Sequence, residues 1–280
     1  LYQLSYITNL NCGGKDINFF LYPTVIVYFF SSIIFVHMEN DKKVLVIDAG
    51  NTSVKAGYFK NDCLIEVKRF SLKELKKLSI WANSLGNPST VLSSVLSKTE
   101  TKEILNAFEN CFIVTNETQF PFEINYSNSQ TLGIDRICNA SYLFMHSATP
   151  FAVSIDVGTC LKFDLMHKTK GYLGGSISPG IDLRYKSLND YTGNLPLLSN
   201  KTVPKLVGTS TDLSINSGVM NGLKHEIISM MEQYRTDFSD LTFFMTGGDA
   251  SFFDFEPKND IFADENLTVK GLYEIYKHNA

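Results

Sequence analysis

The chain has 280 residues, with 25 basic against 29 acidic side chains and a net charge of −4. That length suits one large or two modest domains, each able to bury its own core, and the lack of a basic surplus argues against nucleic acid as a partner. The five cysteines, Cys12, Cys63, Cys111, Cys138 and Cys160, are odd in number and lack a Cys-x-x-Cys spacing. They read as reduced, packed thiols of a cytoplasmic protein rather than a disulfide frame or a zinc site.

Residues 19–36 carry no charge and are long enough for a marginal membrane span. Their only charged neighbours upstream are Lys15 and Asp16, and no small-residue cleavage site precedes Met38. Residues 1–37 are therefore expected to be an apolar N-terminal extension outside the enzyme proper, which leaves no membrane association for the remainder. The compact unit is expected to divide into halves at 38–148 and 149–280.

Further along, period-two alternation and Gly/Asn turns predict strands at 43–48, 54–59 and 63–69. Ser71 with Glu74 forms a capping box for a helix over 71–85, whose apolar residues fall at 72, 75, 78 and 81. A strand at 91–95 and a helix at 99–108 follow. The second half repeats the scheme, with strands at 151–156, 160–166 and 172–177, then helices at 180–188 and 212–234. A buried strand at 241–245 ends in Thr246-Gly247-Gly248, and a short helix and an amphipathic helix at 268–276 close the chain. A three-strand meander followed by alternating helices and strands, written twice, predicts a duplicated α/β, ribonuclease-H-like fold.

Two segments carry the chemistry. Val44-Leu45-Val46-Ile47-Asp48-Ala49-Gly50-Asn51-Thr52 and Val153-Ser154-Ile155-Asp156-Val157-Gly158-Thr159 each deliver an aspartate from a buried strand to a glycine turn and a hydroxyl. Glycine lets backbone N–H groups approach an anion, and threonine adds a donor. A carboxylate facing phosphate requires a cation between them, which suits magnesium. Two copies imply a nucleotide held between two similar halves, and the paired glycines after Thr246 let a ring or sugar lie against bare backbone.

The motifs Asp48 to Lys55, Gly133-Ile134-Asp135-Arg136, Asp156-Val157-Gly158-Thr159, Gly174-Gly-Ser-Ile-Ser-Pro-Gly180 and Thr246-Gly247-Gly248 occur in the order and approximate spacing of type III pantothenate kinases. The chain resembles that family from about Lys43 to the segment that begins at Gly271. The resemblance implies an actin-like ATPase fold and ATP-dependent phosphorylation of pantothenate, the first step of coenzyme A synthesis. It also implies a cytoplasmic homodimer that needs Mg2+ and a monovalent cation, K+ or NH4+. By the same resemblance, Asp48, Ala49, Gly50, Asn51, Thr52, Ser53, Val54 and Lys55 hold the ATP phosphates, with Asp48 on magnesium. Thr159 contacts ATP, Asp156 binds the monovalent cation, and Thr246, Gly247 and Gly248 lie near the adenosine. Asp135 is the proton acceptor for the substrate hydroxyl, within a pantothenate site of Tyr126, Gly133, Ile134, Asp135, Arg136 and Thr192.

Asp135 has a second reading as an acid favoured in a first helical turn, and Arg136 as either a carboxylate fork or a structural ion pair. The second hairpin departs from many relatives by placing Lys162 where they have threonine. Alternation puts Cys160, Lys162 and Asp164 on one strand face, so a Lys162 to Asp164 pair is expected, with a sharper alternative in which the ammonium stands in for part of the monovalent cation's charge. A sugar or acetate kinase would share both hairpins but not the Gly-Ile-Asp-Arg segment. A non-enzymatic regulator of the same fold would have no need of Asp48, Asp135 and Asp156, all of which are present.

Overall fold

A computed structural model describes residues 42–108, 110–253 and 260–280; the apolar extension at 1–37 lies outside the described residues. The first sheet takes β1 (Lys43–Ala49), β2 (Val54–Lys60), β3 (Cys63–Phe70), β4 (Ser89–Ser94) and β5 (Cys111–Ile113) in the order β3-β2-β1-β4-β5. The second takes β6 (Phe151–Val157), β7 (Cys160–His167), β8 (Gly171–Pro179), β9 (Leu241–Thr246) and β10 (Ile261–Ala263), with β6 in the place of β1 and β9 in the place of β4. Each sheet begins with an antiparallel meander and adds two parallel strands. The two have the same topology, and the duplicated fold follows from it.

The strands alternate between two cores because successive side chains point to opposite faces. Leu45 and Ile47 of β1 pack towards α1 (Leu75–Ser84) and α2 (Lys98–Leu105), whereas Val44 and Val46 pack towards α3 (Ile134–His146) and α6 (Leu267–Asn279). Ala152 of β6 joins the same α3/α6 core, and Val153, Ile155 and Val157 face α4 (Ile181–Asp190) and α5 (Thr211–Asp237). Helices α3 and α6 therefore form a central layer that both sheets cover. Their axes come close because Gly271 has no Cβ; one added there would stand 1.8 Å from the Cys138 carbonyl oxygen.

The expected elements recur with small shifts at their ends, whereas α3, expected only as a helical turn at Asp135, runs over Ile134–His146. The capping box at Ser71 opens a single 3-10 turn, Leu72–Glu74, before α1 begins. Strands β5 and β10, three residues each, carry too little alternation to be read from sequence. The expected short helix after β9 is a 3-10 turn at Ala250–Phe252. Cys111, Cys138 and Cys160 are free, as expected. Cys63, which opens β3 beside the exposed Asn61-Asp62 turn, is disulfide-bonded and corrects the all-thiol reading. Among the described residues no helix is long and apolar enough to cross a membrane.

Candidate active site

The parallel strands β1, β4, β6 and β9 end on one side of the fold, where open α/β sheets bind ligands. β1 delivers Asp48, and β4 sets Ser93 beside it in register. The Ser93 hydroxyl donates to Asp48 Oδ1 at 2.9 Å. Burial pushes the Asp48 carboxyl up to about 6 against the pull of that bond, and the nearby carboxylates Asp135 and Asp156 add to the rise. The turn that follows is closed by Gly50 N–H donating to the Ser53 carbonyl. Ala49 and Val54 are fully buried in the core, so they offer a ligand only backbone. Asn51 and Thr52 are exposed at the turn, and Thr52 Oγ1 lies 3.1 Å from Thr159 Oγ1 of the second hairpin.

The second hairpin repeats the delivery. Asp156, on β6, sits opposite Lys162 on β7, and Lys162 Nζ lies 2.7 Å from Asp156 Oδ2 and 2.6 Å from Asp135 Oδ2. The Lys162 to Asp164 pair expected from alternation does not form. Asp164 lies deeper on the same strand face and is taken by Arg136 Nε at 2.7 Å and by the Tyr172 hydroxyl at 2.7 Å. Burial would lower the Lys162 pKa, but the Asp156 and Asp135 carboxylates outweigh it and hold the ammonium above the ordinary lysine value.

Asp135 stands in the first turn of α3, where Gly133 is the N-cap residue. A Cβ at Gly133 would approach Asp135 Oδ1 to 2.5 Å, so the glycine is what admits this carboxylate orientation. Asp135 Oδ1 accepts from the Arg136 amide at 2.9 Å. Ile134 is buried at the foot of the helix. Arg136 is also buried: of its two readings the structural ion pair is present, with Asp164, and its Nη2 has no hydrogen-bond partner. Tyr126 joins this group, with its ring 6.0 Å from that of Tyr172. Thr192 does not. It is exposed beyond α4, and its hydroxyl donates to the Leu188 carbonyl at 2.6 Å.

Beside the hairpins opens a cleft of about 670 Å³ lined by Lys55, Arg69, Thr246, Gly247, Gly248, Ala263 and Asn266, among others. Gly247 has φ +99°, and a Cβ there would strike the Val157 carbonyl oxygen at 2.3 Å, so glycine lets the chain turn closely past β6 at the edge of the cleft. Lys55 Nζ donates to the Glu265 carbonyl. Burial first and Arg69 second lower its pKa, so the cleft holds two neighbouring cations suited to a polyanion. Sequence reasoning missed Ser93, Arg69, Tyr172 and the 264–266 segment. Only strand pairing brings Ser93 to Asp48, and no local motif marks it.

A divalent metal fits at Asp48. The carboxylate is half-buried at the end of β1, with the neutral Ser93 hydroxyl as its hydrogen-bond partner, an arrangement that suits a cation. Among the described residues no cluster of three or more ligating side chains forms a metal cage. That suits Mg2+, which binds through one or two carboxylates together with substrate phosphates. A monovalent cation at Asp156 does not fit in the same way, because the Lys162 ammonium already holds that carboxylate.

Two matching hairpins whose turns meet through Thr52 and Thr159 give the chain the arrangement of a phosphotransferase. The sequence profile of the type III pantothenate kinase family matches residues 44–233. Relatives from Flavobacterium johnsoniae and Flavobacterium psychrophilum, both named type III pantothenate kinase, are 36% and 37% identical over 239 residues. Each alignment covers 84% of this chain, and 98% and 99% of the respective relative. The chain belongs to the type III pantothenate kinase family. A crystal structure from Campylobacter jejuni, described as a Baf family transcriptional activator, shares the fold at TM-score 0.55 and 23% identity, over 84% of this chain and 98% of that one.

Proposed function

We propose that the protein transfers the γ-phosphoryl group of ATP to the primary hydroxyl of pantothenate, giving 4'-phosphopantothenate and ADP, the first step of coenzyme A synthesis. The observation that carries this reading is Asp135: the segment that distinguishes this family from sugar kinases reaches the second phosphate hairpin through Lys162. The adenosine lies along Thr246 to Gly248 in the cleft, and the phosphates extend to the turn amides around Gly50 and Asn51 and to the hydroxyls of Thr52 and Thr159. Lys55 and Arg69 offset their charge. Asp48 would hold Mg2+, which would neutralise charge on the phosphates.

The hydroxyl oxygen attacks the γ-phosphorus as the bond to ADP breaks, and the hydroxyl proton passes to the Asp135 carboxylate. Because such transition states are loose, the proton leaves late, and Asp135 acts chiefly by orienting the nucleophile. Arg136 and Tyr126 set the far wall of the acceptor site, and the free Nη2 donor suits a carboxylate. Expected K+ or NH4+ at Asp156 does not enter this reading, since Lys162 supplies the positive charge there.

Thr192 contributes to this site only if a second copy brings it there. Residues Tyr191, Leu197, Leu206 and Val207 are 88%, 61%, 75% and 74% exposed, an apolar surface beyond α4 that supports a homodimer. The divisions 38–148 and 149–280 and a cytoplasmic location belong to the same reading. An ATP-consumption assay with pantothenate, pantetheine and simple sugars tests it. Turnover is expected with pantothenate, and turnover only with sugars would overturn the assignment.

A further inference from the structure

Three carboxylates, Asp48, Asp135 and Asp156, lie near one another where the two hairpins meet, and Asp135 and Asp156 share the Lys162 ammonium. Placed this close in a half-buried site they repel one another, and the bound nucleotide brings further negative charge. The one ammonium group among them sits between two of the three, with 15% of the Lys162 side chain exposed. Its position is fixed twice. The register of β6 and β7 sets Lys162 directly opposite Asp156, and the first turn of α3 brings Asp135 down onto the same Nζ.

We infer that Lys162 is a positioning residue that serves as a tethered monovalent cation, holding Asp135 in the orientation that meets the acceptor hydroxyl and making turnover independent of added potassium or ammonium. A free ion at this place would have to be bound from solution and would exchange. An ammonium carried by β7 is present in every molecule, and its ordering cost is met on folding. The charge also couples the halves, since α3 precedes β6 in the chain and Asp156 belongs to the second hairpin. A structural salt bridge alone would hold the two carboxylates together, but it would not make the cation requirement depend on residue 162.

This inference rests on the proposed kinase reading, so its test has a readout that needs no acceptor. The full chain is compared in choline chloride and in potassium chloride at equal ionic strength, by thermal unfolding and by ATP turnover with pantothenate. The wild type is expected to show the same melting temperature and the same kcat in both salts. Lys162→Thr should melt lower in choline and recover in potassium, saturably, while its kcat falls about a hundredfold in choline and is restored in part by potassium. Its KM for ATP should move far less than its kcat. Lys162→Met, which fills the space without offering an oxygen ligand, should lose kcat and regain nothing. Saturable activation and stabilisation of the wild type by potassium would overturn the inference, as would wild-type kcat in Lys162→Met. The expected melting pattern without pantothenate turnover in either salt would instead count against the substrate assignment alone.

Discussion

The hydroxyls of Thr52 and Thr159 stand 3.1 Å apart although 107 residues separate them in the chain. Each ends the glycine turn of its own hairpin, so the two turns meet through these hydroxyls. If phosphate oxygens replace this mutual contact when ATP binds, each hydroxyl supplies one bond to a charged group. Thr52→Val and Thr159→Val should then each cost about 1.5–3 kcal/mol, roughly a ten- to hundredfold loss of kcat/KM for ATP. The double variant should lose less than the product, because the two groups share partners. Steady-state kinetics at saturating pantothenate would measure this, and unchanged kcat/KM in both single variants would remove the hydroxyls from the phosphate site.

Asp135→Asn keeps the shape of the side chain but gives up both the proposed proton acceptor and half of the charge that holds Lys162. Turnover should fall by about 10²–10⁴, the usual range for a positioned acid or base. ATP binding, measured by titration calorimetry without acceptor, should change little, because Asp135 lies at the acceptor end. An Asn variant with wild-type turnover would rule out the role.

Arg136 and Asp164 are 5% and 0% exposed at their side chains, so removing one leaves a buried charge alone. Asp164→Asn should therefore cost about 3–5 kcal/mol in urea unfolding. Replacing both, Arg136→Met with Asp164→Leu, should recover much of that stability while still lowering affinity for pantothenate. Recovery of stability with full affinity would make the pair purely structural.

Much of this arrangement was legible because the chemistry is local. The hairpins at Asp48 and Asp156 bring their own glycines and hydroxyls, and the period-two pattern of each meander fixed which faces are buried. The partner choices of α3 were not legible. Asp135 and Arg136 are adjacent, and Lys162 and Asp164 are two apart on one strand face, so sequence alone favoured a pair within β7. The structure instead crosses them, Asp135 to Lys162 and Arg136 to Asp164, because the N-terminal turn of α3 packs against that strand. Ser93 was hidden for the same reason: parallel pairing of β1 and β4 is a long-range fact with no local signature.

The same central helix layer offers a test by pH. Glu274 on α6 accepts from His146 Nε2 at the end of α3, at 2.9 Å, and pairs with Lys277, also at 2.9 Å. Burial would raise the Glu274 pKa, but the bonds from His146 and Lys277 outweigh it and hold the carboxyl below the ordinary glutamate value. The unfolded state therefore takes up its proton first as pH falls. The contribution is present in full above the unfolded value of about 4.3 and is lost as pH drops through the lower folded value. Glu274→Gln should be less stable than the wild type by about 1–2 kcal/mol at pH 7, and the gap should close as pH falls below the unfolded value of about 4.3. Urea unfolding across that series measures it. A gap that stays constant with pH would assign the loss to packing between α3 and α6 rather than to the charge.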